Sequence, residues 1–442
     1  MYQINSKEEK KQFYKLVATL VLPMALQNLI NVGVTSADVI LLGKVGETAL
    51  SASSLAGQVY CIMTLVFFGR TSGAAVLTAQ YWGKKDTRSI EKILGISMRI
   101  ALCVAAGFMI VVLLFPYQIM HIFTSEQDVI QGGVEYLRIT VFSYLFAATT
   151  LVYLNIMRSI ERVIISTIVY MVSLMVNVGL NAVFIFGLLG FPAMGIKGAA
   201  LATLIARITE FVIVLFYSKK MNHTVRFRIK DFFVKDKLLM KDFLVYAVPV
   251  VLNEMFWGLG VSMLTAVIGH LGSPAVAANS VAQVVKQLAM VVTFGLSKAT
   301  AIMIGKVIGE GREDLAKLYG KRFVKLSLAL GVVGAGVILT ISPIVRANLT
   351  LSEQAQGYLR AMMFVMSYFV IAQAYNTTMV VGVFRAGGDT RFGLILDLIS
   401  LWGFAIFLGA IAAFVFKVPV IVVYIILLSD EIVKLPATTW RY

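Results

Sequence analysis

Residues 22–46, LPMALQNLINVGVTSADVILLGKVG, and residues 248–272, VPVVLNEMFWGLGVSMLTAVIGHLG, carry one pattern twice, 226 residues apart. Pro23 stands opposite Pro249, Leu26 opposite Leu252, Gly43 opposite Gly269 and Gly46 opposite Gly272. The register continues through Ala49 and Ala275, Ala52 and Ala278, Ser54 and Ser280, Gly69 and Gly295, and Gly83 and Gly309. After a single-residue insertion, Pro116 meets Pro343, Arg158 meets Arg385 and Pro192 meets Pro419. The chain is therefore an internal duplication, and a repeat constrains the fold more than any isolated motif does.

Both segments are also too apolar for a soluble helix. A bilayer-spanning helix needs roughly 20 apolar residues. Runs of that kind fall at 14–43, 52–82, 93–116, 133–156, 163–189 and 195–217, and again at 241–269, 278–308, 319–344, 357–382, 391–415 and 418–438. Of the 442 residues 59% are hydrophobic and 14% charged, with a mean hydropathy of +0.87, whereas an ordinary globular chain has about 25% charged residues. An all-soluble protein is excluded. The first run follows Lys7, Lys10, Lys11 and Lys15, but it is far longer than a signal-peptide core and has no small-residue cleavage site. It reads as a retained first span. Six spans per repeat is an even number, so both repeats enter the membrane in the same sense. The expected fold is an all-α integral membrane protein of twelve transmembrane helices in two parallel-duplicated six-helix lobes around a central cavity. Residues 1–217 form the N-lobe, 218–240 a basic cytoplasmic linker and 241–442 the C-lobe. No connection is long enough for a soluble catalytic domain.

The net charge of +16 is explained by topology. Nearly all Lys and Arg of the connections fall on one alternating set: the N-terminus, Lys84 to Lys92, Arg158 and Arg162, Lys219 to Lys241, Lys306 to Lys325, Arg385 and Arg391, and Lys434 and Arg441. The opposite set holds Lys44, Lys197, Arg346 and Lys417. Positive residues are retained on the cytoplasmic side. Both termini are thus expected to be cytoplasmic, in the cell's inner membrane, with anionic headgroups rather than nucleic acid as the partner. Cys61 and Cys103 form no framework, and His121, His223 and His270 stand singly in expected loops, so no metal site is expected.

Ionisable side chains within a bilayer are costly and are functional candidates by default. Asp38, Glu254 and Asp397 are three such acids. Low dielectric disfavours the charged form of an isolated carboxyl, which suits it to taking up and releasing protons. The alternatives are a buried carboxyl satisfied by hydroxyls or amides, or one paired with a lysine. Arg70, Lys286 and Lys298 are intramembrane bases that could neutralise these acids, snorkel to the interface or attract an anionic substrate group. Asn177 and Asn181, at i and i+4, share a helix face and could bond Asp38 or join helices. Pro23 and Pro249 mark candidate hinges. The GxxxG spacings at Gly69 to Gly73 and Gly305 to Gly309 imply close helix contact. The RSIER stretch at 158–162 and FRAGGDTR at 384–391 read as turns with a helix cap. No GxxxxGK[ST], HExxH or GxSxG is present, so neither ATP hydrolysis nor an enzyme of those classes is expected.

With LPMALQN at 22–28, ADVILLGKVG at 37–46, TAQYWGKKD at 78–86, GIKGAALAT at 195–203, PVVLNEMFWGLG at 249–260 and FRAGGDTR at 384–391, the chain resembles the MATE family, the multidrug and toxic compound extrusion transporters. The resemblance implies antiport of organic cations against protons or sodium, with no other cofactor and a monomer acting on a small-molecule substrate. It makes Asp38, Asn177 and Asn181 the N-lobe polar cluster, Glu254 the C-lobe acid and Asp397 the acid of span 11. Asn181 stands where the family often has a second N-lobe acid. Span 10 lacks the acid carried by some sodium-coupled members. The alternatives are a flippase for an anionic lipid-linked substrate or an exporter of an anionic metabolite; a membrane-embedded enzyme or receptor is disfavoured by the duplication.

Overall fold

The structure is a computed structural model that describes residues 7–442 apart from 44, 46, 124–125, 223, 226–231, 233–236 and 349–351. His223 lies outside the described residues. Every regular element among them is a helix. In chain order these are α1 (Lys7–Gly43), α2 (Glu47–Gly83), α3 (Thr87–Leu114), α4 (Pro116–Phe123), α5 (Gln127–Thr140), α6 (Ser143–Ser159), α7 (Ile164–Phe186) and α8 (Ile196–Met221). They continue as α9 (Lys237–Gly269), α10 (Ser273–Gly309), α11 (Glu313–Asn348), α12 (Glu353–Phe384), α13 (Thr390–Val415), α14 (Val420–Leu428) and α15 (Asp430–Arg441).

Among the described residues nine helices are long and apolar enough to cross a membrane, or ten if α5 and α6 are one span bent by 56°. The bend falls where hydroxyls compete for backbone acceptors: Thr140 Oγ1 donates to the Tyr136 carbonyl at 3.0 Å and Ser143 Oγ to that of Thr140 at 2.5 Å. Such back-bonding bends helices. The twelfth expected span is divided at Ser429, whose hydroxyl takes the Ile426 carbonyl at 2.6 Å. Its second half carries Asp430, Glu431 and Lys434, which removes it from an apolar count. The expected span 52–82 lies within α2, of which only Ser51–Phe67 is counted as an apolar helix. His121 lies in the short helix α4 rather than in an open loop, whereas His270 stands in the turn that follows α9, as expected. Outward apolar residues such as Met175, Val332 and Ile399 are exposed, as lipid-facing surfaces require.

Two compact units emerge. One comprises Leu26–Ala247, the other Met1–Ala25 with Val248–Tyr442. The division falls inside α1 and α9, beside Pro23 and Pro249, rather than along the basic stretch 218–240. Packing accounts for it. In the second unit, Phe13 is buried against Tyr319 and Phe323 of α11, with ring centroids 4.7 and 5.1 Å away. Glu9 takes both forks of Arg322 at 2.9 and 2.7 Å, and Gly295 lets α10 approach the Val21 carbonyl. In the first unit, Phe243 and Ala247 of α9 join the core of α2, α3 and α6, and Gly73 presses directly on the Ala247 backbone. The GxxxG reading of Gly69 to Gly73 thus acquires a specific partner. Pro23 and Pro249 both lie within continuous helices.

Candidate functional site: two intramembrane polar networks

In the unit Leu26–Ala247, the site depends on how closely α7 and α8 approach. The turn between them begins at Gly187, whose φ of +71° is a left-handed helix cap that favours glycine. Met194 N–H then donates to the Phe184 carbonyl at 2.9 Å. Gly198 allows α8 to lie on that same carbonyl; an added methyl would sit 2.6 Å from the oxygen. The result brings Asn177 and Asn181 of α7 opposite Thr203, Arg207 and Glu210 of α8.

Asn181 Nδ2 donates to Asp38 Oδ1 at 2.5 Å and to Asn177 Oδ1 at 3.1 Å. Asn177 Nδ2 donates to Thr203 Oγ1 at 3.5 Å. Tyr136 of α5 hydrogen-bonds Thr203. Asn181 Oδ1 is buried with no hydrogen-bond partner, an orphan acceptor beside a carboxyl. One turn further on, Arg207 Nη1 meets Glu210 Oε1 at 2.7 Å, Ser173 Oγ donates to the same oxygen at 2.5 Å, and the guanidinium lies 5.5 Å from the Tyr60 ring centroid. The side chain of Arg70 lies outside the described residues.

In the other unit, four helices join in one chain of contacts. Arg385 Nη2 donates to Glu254 Oε1 at 2.7 Å and to Asn253 Oδ1 at 2.8 Å. Asn253 Nδ2 donates to Asp397 Oδ2 at 2.5 Å. Lys434 Nζ lies 2.9 Å from Asp397 Oδ1 and 3.0 Å from Asp430 Oδ2. Asn376 Nδ2 donates to Glu431 Oε2 at 2.8 Å and to its carbonyl at 2.6 Å. Lys286, partly buried in α10, interacts electrostatically with Glu431 and Asp430. Lys298 is also partly buried there. Arg385 follows the widened π-helical stretch Thr378–Phe384, and Asp397 precedes another, Leu398–Ile406. Local departures of this kind are frequent at functional sites.

Three basic residues of the expected cytoplasmic set are also structural partners inside the units. Arg158 and Arg385 sit just beyond apolar runs, whereas Lys434 falls within the expected span 418–438. The turns expected at 158–162 and 384–391 are present, with Glu161 at φ +65° and Gly388 at φ +84°, and Arg158 and Arg385 also bond to other helices of their own units. Arg158 Nη1 donates to Gln27 Oε1 at 3.1 Å, and Arg385 makes the matching bond to Asn253, the residue opposite Gln27 in the repeat. Sequence inspection also missed Arg207, Glu210 and Asp430. The i, i+3 spacing of Arg207 with Glu210 and the i, i+4 spacing of Asp430 with Lys434 are the signals that would have found them.

A duplicated all-helical membrane protein with deep polar networks in both repeats has the architecture of a multi-pass transporter. The MatE family model matches residues 23–183 and 249–411, one match in each repeat, and the chain belongs to this family of multidrug efflux transporters. It is a transporter of small molecules and not an enzyme. The probable multidrug resistance protein YoeA of Bacillus subtilis is 22% identical over 406 residues, covering 90% of this chain and 87% of that protein. The probable multidrug resistance protein NorM of Thermotoga maritima is 25% identical over 401 residues, covering 90% and 85%. Among solved structures, the Vibrio cholerae MATE transporter VcmN in its bent form matches with a TM-score of 0.87 at 17% identity, covering 98% of this chain and 97% of that one. A MOP superfamily transporter from Pyrococcus furiosus, described as having a binding pocket of reverse polarity, matches with a TM-score of 0.87 at 19% identity, covering 96% and 94%.

Proposed function

We propose that the protein exports amphipathic organic compounds, cationic ones foremost, from the cytoplasm by alternating access, and that protons entering at Asp38 drive the export. Both termini lie on the cytoplasmic side in this reading, and one chain is the working unit. The observation that carries it is the difference in partners among the three candidate acids. Glu254 and Asp397 face a guanidinium and an ammonium at 2.7 and 2.9 Å, whereas Asp38 is held by the neutral amide of Asn181.

A carboxylate met by a cation resists protonation, since the cation favours the charged form. One met by an amide can take up a proton without leaving an unpaired charge. Asn181 suits both states. Its Nδ2 donates to the carboxylate, and its unpartnered Oδ1, brought round by rotation of the amide, can accept the O–H of the protonated acid. A cationic substrate and a proton compete for the same negative charge, which is the exchange an antiporter requires.

The test is efflux of a lipophilic fluorescent cation from proteoliposomes under an imposed proton gradient, then a sodium gradient. Wild-type movement is expected with protons alone, and Asp38→Asn should abolish it while leaving thermal unfolding within about 2 °C. Full gradient-driven efflux by Asp38→Asn would overturn the assignment. One observation favours a second reading, an anionic or zwitterionic substrate: the Arg207 side chain remains 24% exposed although Glu210 pairs with it. An anionic fluorophore moved in place of the cation, and lost in Arg207→Gln, would favour that reading.

A further inference from the structure

The part of the Val248–Tyr442 unit that the proposed mechanism does not use is its densest charge cluster. Asp397 of α13 and Asp430 of α15 hold the Lys434 ammonium between them at 2.9 and 3.0 Å. The Lys434 side chain is 4% exposed and those of Asp397 and Asp430 10% and 9%. Glu431 lies beside them, fixed by Asn376, and Asn253 supplies an amide to the far oxygen of Asp397. The charges facing this point from every packed element are the carboxylates of Asp397, Asp430 and Glu431 and the ammoniums of Lys434 and Lys286. The neighbouring Glu254 is already matched by Arg385.

This is a donor set that suits a monovalent cation: two buried carboxylate oxygens meeting at one point of positive charge, with the Glu431 carboxylate beside them and amides holding Asp397 and Glu431 in place. The point is occupied, but by a group tethered to the chain. An alkylammonium on a four-carbon stem fills the position that a free ion would take, and it cannot dissociate. Removing it would leave three carboxylates against Lys286 alone, in surroundings where an uncompensated buried charge is strongly destabilising.

We propose that Asp397, Asp430 and Glu431, with the amides of Asn253 and Asn376, form a monovalent-cation site whose permanent occupant is the Lys434 ammonium, so that Lys434 determines the indifference of this unit to sodium. Lys434 is a specificity-determining residue in this account: it removes this place from competition by a free metal cation. The proposal deepens the proton-driven reading and rests on it for its consequence in transport. Its test reads stability, so proton coupling at Asp38 and cation exclusion by Lys434 can fail separately.

The experiment is thermal unfolding of the detergent-purified full chain in choline chloride, sodium chloride, potassium chloride or methylammonium chloride at equal ionic strength. Wild type is expected to unfold at the same temperature in all four. Lys434→Ala should be markedly less stable in choline and should gain roughly 5 °C or more in at least one of the small cations, the shift expected from a ligand near a hundredfold its Kd. Lys434→Ala/Asp397→Asn, with one carboxylate removed, should lose most of that gain. If Lys434→Ala cannot be recovered in choline, its yield and monodispersity after solubilisation in each small cation are read instead, and recovery in one of them is the expected result. A variant that gains nothing from sodium, potassium or methylammonium, whether folded or not, overturns the proposal. So does a wild-type protein that sodium stabilises.

Discussion

Replacing Arg385 by methionine gives a sharp test of how the second network is held. The Arg385 side chain is 4% exposed, and a single nitrogen serves Glu254 at 2.7 Å and Asn253 at 2.8 Å. Methionine fills much of the same volume, so the main loss is charge. Glu254, itself 13% exposed, is left as a buried carboxylate without a cation, and Asn253 loses a donor. Breaking a buried ion pair from one side costs about 3–5 kcal/mol. At roughly 2–4 °C per kcal/mol for units of this size, the thermal midpoint should fall by about 6–20 °C. The repeat provides its own control. Arg158→Met removes the equivalent bond to Gln27 and one to Tyr170, but both partners are neutral, so the cost is that of unsatisfied acceptors, about 1–3 kcal/mol. Adding Glu254→Gln to Arg385→Met should recover most of the loss, because no charge then remains to be compensated. Unfolding of the purified variants followed by intrinsic fluorescence decides the matter. If Arg385→Met is no worse than Arg158→Met, or if Glu254→Gln does not rescue it, the ion-pair reasoning is wrong.

Two further predictions concern packing and capping. A methyl at Gly73 would lie 2.5 Å from the Ala247 Cα, whereas one at Gly57 in the same helix meets nothing within 4 Å. Gly73→Ala should therefore cost about 1–3 kcal/mol through overpacking, while Gly57→Ala should be neutral or gain up to about 1 kcal/mol from helix propensity; thermal unfolding of both separates them. Asp86 caps α3 through Ser89 N–H at 3.0 Å and the Ser89 hydroxyl at 2.6 Å, so Asp86→Ala should cost about 1 kcal/mol at neutral pH. The Ser89 hydroxyl bond holds this carboxyl below its ordinary value of 3.8. A group depressed by folding contributes its stability above the unfolded value and loses it as pH falls through the folded one. The gap between Asp86→Ala and wild type should accordingly shrink only below about pH 4, and a gap that instead opens in acid would contradict the cap.

Much of this architecture was legible because it rests on length and repetition. Asp38 with Asn177 and Asn181 was legible too, since i, i+4 spacing places two amides on one face wherever the helix goes. The breaks in the fourth and twelfth spans were not, because they arise from hydroxyls at Thr140, Ser143 and Ser429 taking carbonyls that the sequence alone leaves to the helix. The partners of Arg158, Arg385 and Lys434 were hidden for a related reason. A buried charge finds its partner through tertiary packing, and the partners here come from α1, α9 and α13, far away in the chain.

The same duplication explains why the two networks differ. In the repeat register Gln27 faces Asn253 and Arg158 faces Arg385, and both pairs form the same bond. That brace is common property of the two halves. Around it the register pairs unlike residues: Asn28 with Glu254, Tyr60 with Lys286, Tyr170 with Asp397 and Arg207 with Lys434. At the first three of these positions one half has an amide or a phenol where the other has an acid or an ammonium, and at the fourth both carry a cation. Charge has therefore accumulated around the brace in one repeat, while in the other Arg207 pairs with Glu210 and Asp38 takes its hydrogen bond from the amide of Asn181. A carboxyl can exchange protons usefully only if its neighbours do not fix its charge. In the proposed reading the duplicated scaffold supplies one position for each role, a neutralised network that holds its unit together and a carboxyl, held by an amide, that can change state.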